Sequence, residues 1–107
     1  MVKRSLVCFV FVMSACTSAS STGISTATCP TDSTLTYENF GSAFISDNCL
    51  SCHASREQPT LSTQTQIQTN RARILQNAVY TDAMPQDASM ALAERQLLGE
   101  WLACGAP

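Results

Sequence analysis

The sequence predicts an all-α fold, and three observations carry the prediction. Apolar residues recur at helical spacing in three separate stretches. No stretch alternates apolar and polar residues long enough to make a strand, and no internal repeat is present. The candidate domain, residues 29–107, is short enough for one small core and no more. The first helix is expected from about Tyr37 to Asn48, with Tyr37, Phe40, Phe44 and Ile45 on one face. Thr36 can cap its N-terminus, and Glu38 suits the positive end of the dipole. The second is expected from about Thr63 to Val79. Ile67, Ile74, Leu75, Ala78 and Val79 form its apolar stripe, with Arg71 and Arg73 mostly off it. The third is expected from about Ala91 to Cys104, with Leu92, Leu97, Leu98, Trp101 and Leu102 supplying the apolar side. Gly105 follows as a stop.

Met1 to Ala15 reads as an export signal. Lys3 and Arg4 give a positive start, Leu6 to Met13 an apolar run, and Ser14 and Ala15 a small pair before Cys16. The run is shorter than the roughly 20 residues a helix needs to span a bilayer. A small pair followed by cysteine resembles a bacterial lipoprotein cleavage site, although Met13 stands where leucine is usual. There the cysteine becomes the lipid-carrying N-terminus. Ordinary secretion with cleavage near Ala19 is the other reading. Residues 16–28 are rich in Ser, Thr, Ala and Gly, carry no charge, and read as a flexible tether.

Cleavage before Cys16 leaves four arginines, no lysine and all eight acids, a net charge of −4. That balance excludes nucleic acid as a partner, because binding it needs basic patches. It also excludes electrostatic attachment to anionic lipid. The expected anchor is therefore covalent lipid on Cys16, facing the periplasmic side of a bacterial membrane. Cys29, Cys49, Cys52 and Cys104 remain in the exported domain, a density that suggests covalent constraint. So small a core needs an added tie, a cofactor or a disulfide.

The string Cys49-Leu50-Ser51-Cys52-His53 carries the chemistry. Two cysteines three positions apart on a helical turn can form thioethers to the two vinyl groups of one haem. A histidine directly after the second lies under the same porphyrin and can ligate its iron. A redox dithiol or half a zinc site are the competing readings of such a pair. A thioredoxin-like dithiol calls for strands in a βαβ pattern, which the sequence lacks. Zinc calls for four ligands, and His53 is the one histidine in the chain.

Together with Pro59-Thr60-Leu61 and Met84-Pro85, this string resembles the small single-haem cytochromes c of class I, here in a bacterial lipoprotein form. The resemblance covers about Tyr37 to Pro107. It implies a small class I cytochrome c fold, with about three main helices around one covalently bound haem c. In that family the helix before the motif carries a glycine and an aromatic, here like Gly41 and Phe44. The last helix carries an apolar residue and an aromatic three apart, here like Leu98 and Trp101. The two cross closely where the glycine lacks a side chain. The resemblance also implies that the Pro59 carbonyl accepts the second ring N–H of His53, that Leu61 packs on the haem edge, and that Met84 is the second axial ligand. Met90 is the rival for that place, although its position near the start of the third helix suits core packing. Because the family packs its first and last helices together, a Cys29–Cys104 disulfide is expected.

A His53/Met84 pair fills both axial positions of iron, and the soft thioether favours the ferrous state. The expected function is thus electron transfer with redox protein partners, as a monomer and without catalysis. The alternative is a haem-based sensor, or an accessory haem subunit of an oxidoreductase with a labile sixth ligand. A two-haem peroxidase needs a second Cys-x-x-Cys-His, and the chain has one.

Overall fold

A computed structural model describes residues 23–86 and 88–107. The expected signal (residues 1–15) and the expected lipid site Cys16 lie outside the described residues. Within them the chain is all-α, with helices and no strand. No helix among the described residues is long and apolar enough to cross a membrane.

A π-type turn, Tyr37–Gly41, leads directly into α1, Ser42–Asn48. Thr36 caps the start: its hydroxyl accepts the Asn39 N–H, and the Asn39 side chain accepts the Thr36 N–H. Two orphan donors are thereby satisfied at once. A short helix, α2, covers Leu50–His53. Cys49 separates it from α1 with a backbone bent out of helical geometry.

The second predicted helix is a broken rod. It comprises α3 (Gln64–Thr69), α4 (Arg71–Ile74) and a closing π-type turn, Leu75–Val79. Thr63 caps α3 by the same reciprocal device, with Gln66 as partner. The break falls at Asn70, whose side-chain amide donates to the Gln66 carbonyl. Asparagine competes in this way with the backbone's own ladder. The last helix, α5, covers Leu92–Ala103, and Glu94 accepts the Ala91 N–H at its start. Gly105 ends it at φ +99°, a conformation natural to glycine.

The core gathers Ile45, Leu61, Ile67, Ile74, Ala78, Val79, Met90, Leu98, Trp101 and Leu102. Within it, Trp101 of α5 meets the Tyr37–Gly41 turn. A Cβ on Gly41 would fall inside the Trp101 ring, so only glycine permits this approach. Around it Phe40 meets Trp101 edge-on at 5.9 Å, and Tyr37 stacks on it at 6.5 Å.

Besides the break at Asn70, two features differ from the sequence reading. Leu92 and Leu97, placed on the apolar side of the last helix, are exposed, whereas Arg95 is buried with Leu98, Gly99, Trp101 and Leu102. The packed face runs through 95, 98, 99 and 102, and Leu92 and Leu97 fall off it. The end of the tether also packs. The Ile24 N–H donates to the Val79 carbonyl, and Ile24 and Ala27 lie against the core. Both approach Gly99, where the absent side chain leaves them room.

The start and end of the 29–107 domain are tied together. Cys29 and Cys104 form a disulfide, their Cα atoms 4.8 Å apart across a sequence separation of 75. The Ser33 hydroxyl donates to Glu100 on α5 at 2.6 Å. Gln64 and Gln68 on α3 both donate to the Ala106 carbonyl, and the Trp101 indole N–H reaches that of Pro107.

Candidate functional site

Cys49, Cys52 and His53 lie on a single turn. The Cys49 carbonyl accepts N–H groups from both Cys52 (3.2 Å) and His53 (2.9 Å), while the Cys49 N–H donates back to Ile45 at 2.9 Å. The motif therefore hangs directly from the end of α1, one turn beyond a core residue. All three side chains are half-buried. The two cysteines are unpaired thiols, and Cys52 Sγ lies 3.6 Å from the Arg56 guanidinium. Desolvation pushes the Cys49 thiol up to about 11. A thiol so placed is protonated at neutral pH, the opposite of the lowered value that activates a redox dithiol.

The loop after the motif folds back onto it. His53 Nδ1 lies 2.8 Å from the Pro59 carbonyl oxygen. A carbonyl can only accept, so Nδ1 carries a proton, and in the neutral ring the lone pair is then on Nε2. That tautomer is the one a metal-ligating imidazole needs, with its orientation fixed by the outer hydrogen bond. The loop is pinned twice more: the Leu61 N–H donates to the His53 carbonyl at 2.8 Å, and the Glu57 N–H to that of Cys52 at 3.0 Å. Leu61 itself is buried in the core.

The two methionines separate cleanly. Met90 is 4 % exposed and belongs to the core. Met84 is half-buried, packed against the same core that Cys49 and Leu50 flank. Its backbone is held on both sides: its N–H donates to the Asn77 carbonyl at 2.8 Å, and its carbonyl accepts from Arg95 Nη1 at 2.9 Å. Arg95 also donates to the carbonyls of Ala78 (2.7 Å) and Thr81 (3.4 Å). Sequence reasoning missed this residue. The available signal was a charge at helical spacing from Leu98, Gly99 and Leu102, on the face that packs.

No group of three or more His, Cys, Asp or Glu side chains converges on a common point among the described residues. The donor set is instead two unpaired thiols on one turn beside an imidazole with a free Nε2. Such a set suits thioether attachment of a haem and axial ligation of its iron. No protein-family model, no curated protein and no solved structure matches the chain.

Proposed function

We propose that the protein is a single-electron carrier of class I cytochrome c type, holding one haem c through Cys49 and Cys52. His53 and Met84 would be the two protein ligands of its iron. The observation that carries this reading is the His53 ring, whose Nδ1–H donates to the Pro59 carbonyl and leaves Nε2 free beside two unpaired thiols. The haem supplies the redox chemistry, a reversible one-electron change at iron. The chain's own residues do the rest. Cys49 and Cys52 fix the ring relative to α2, and the Pro59 carbonyl fixes the imidazole and raises its basicity. Leu61 packs beside the ring and keeps water from it. Met84 would supply a thioether ligand, which would leave no open site for oxygen or peroxide chemistry and favour the ferrous state.

The tied backbone of Met84 supports a carrier over the sensor reading, because a sensor needs a sixth ligand that leaves readily. We place the protein on the periplasmic side of a bacterial membrane, lipid-anchored at Cys16, exchanging electrons with redox protein partners.

The test is production of the full chain in cells equipped to attach c-type haem. The expected product is coloured, gains the mass of one haem that survives denaturation, and shows a sharp low-spin reduced spectrum. Its ferric form carries the weak far-red band of thioether-to-iron charge transfer. Substituting both Cys49 and Cys52 by Ala gives no covalent haem. A colourless wild-type product under these conditions refutes the proposal.

A further inference from the structure

Arg95 is 3 % exposed, and among the described residues its guanidinium donates to backbone carbonyls. Its Nε is buried with no hydrogen-bond partner among the described residues. Burying a guanidinium is costly unless its donors are met, so the carbonyls it reaches are held where it needs them. Here a single nitrogen, Nη1, serves three carbonyls: Ala78 at the end of the Leu75–Val79 turn, Thr81 in the middle of the following loop, and Met84. Arg95 therefore fastens the whole 78–84 segment to α5, the most deeply packed helix of the molecule. The free-running part of that segment is short and otherwise held by local bonds. The Thr81 hydroxyl donates to the Gln76 carbonyl at 2.9 Å, and the Met84 N–H donates to that of Asn77.

We propose that Arg95 is the positioning residue for Met84. It holds the loop in the pose that presents the thioether, and so sets how firmly the sixth iron position is closed to outside ligands. This inference rests on the haem reading above. For Met84 to leave the iron its loop must swing out, and swinging out strips a buried guanidinium of its acceptors. Each such charge-assisted bond is strong enough that losing one is worth about tenfold or more in the opening equilibrium.

The test is imidazole titration of the ferric holoprotein, followed by loss of the thioether charge-transfer band. Arg95→Gln is expected to bind imidazole about tenfold or more tightly than wild type, through a faster opening step. Arg95→Lys keeps the charge but offers a compact ammonium, and is expected to fall between the two. Both are expected to show a lower reduction potential than wild type, because a loosened thioether favours ferrous iron less. If neither variant folds, the wild type answers alone: the slowly exchanging Arg95 guanidinium protons in its NMR spectrum are expected to shift and exchange faster once imidazole displaces Met84. Unchanged imidazole affinity in folded variants, or guanidinium signals indifferent to imidazole, overturns the role of Arg95 while leaving the carrier reading intact. A wild-type protein without haem overturns both.

Discussion

Cys49 shows how one residue can be read in two chemical states. As a free thiol it is half-buried and holds its proton up to about pH 11, against an ordinary value of 9.0, because burial disfavours the thiolate. The folded haem-free chain therefore binds more protons than the unfolded chain between those values. Its stability falls as pH rises through that window and is unaffected by Cys49 below it. Alkylation of Cys49 in folded haem-free protein is expected to accelerate with a midpoint about two units above that of denatured protein. Equal midpoints would show that the site is open to water. If haem is attached as proposed, neither Cys49 nor Cys52 keeps a thiol, and alkylation at these two positions disappears. At the same scale, Cys49, Cys52 and His53 were legible as a unit because their chemistry is set by spacing along one turn. Arg95 was not, because its meaning depends on carbonyls 11 to 17 residues away in the chain.

At the scale of elements, helix starts were written locally and helix faces were not. Thr36 and Thr63 both cap by bonding to a residue three places on; Thr36 reads from the sequence as a cap, whereas Thr63 reads only as the start of the second helix. Thr63→Ala is expected to lower stability by about 1 kcal/mol, read as a drop in the denaturation midpoint with little change in slope. The crossing of the Tyr37–Gly41 turn with α5 is a different matter. Gly41→Ala drives a methyl group into the Trp101 ring, and the surrounding Tyr37 and Phe40 leave the indole no room to retreat. The expected loss is about 1–3 kcal/mol or more by overpacking, larger than that of the cap. A Gly41→Ala protein as stable as wild type would mean that the two helices do not meet as described. The break at Asn70 escaped the periodicity because the apolar stripe continues across it, while the polar side chain redirects the backbone.

Across the whole molecule, the Cys29–Cys104 disulfide closes nearly the entire domain. On the chain-entropy view a loop of that length stabilises by about 4 kcal/mol, with measured values often lower. Reduction, or the double substitution Cys29→Ser with Cys104→Ser, is expected to lower the melting temperature by more than either substitution above, without changing the haem spectrum of loaded protein. A coincident loss of haem signals would mean that the disulfide also shapes the haem crevice. The separation of the two effects follows from position: the bridge joins the loop before the first turn to the end of α5, whereas the attachment turn follows α1. The same global view explains residues 23–28. Their composition is that of a tether, yet Ile24 and Ala27 settle over Gly99, a place that exists only after α5 has packed.

By itself the sequence determined the all-α class, the starts of the first, second and last helical stretches, and the grouping of Cys49, Cys52 and His53 on one turn, since each depends on neighbours within four or five residues. Tertiary structure alone decided which face of α5 is buried, that the rod breaks without losing its stripe, and that a buried arginine grips the Met84 loop. The physical reason is range: local hydrogen bonding and periodicity are visible along the chain, but burial and the partners of a long charged side chain are fixed only when distant segments close on one another.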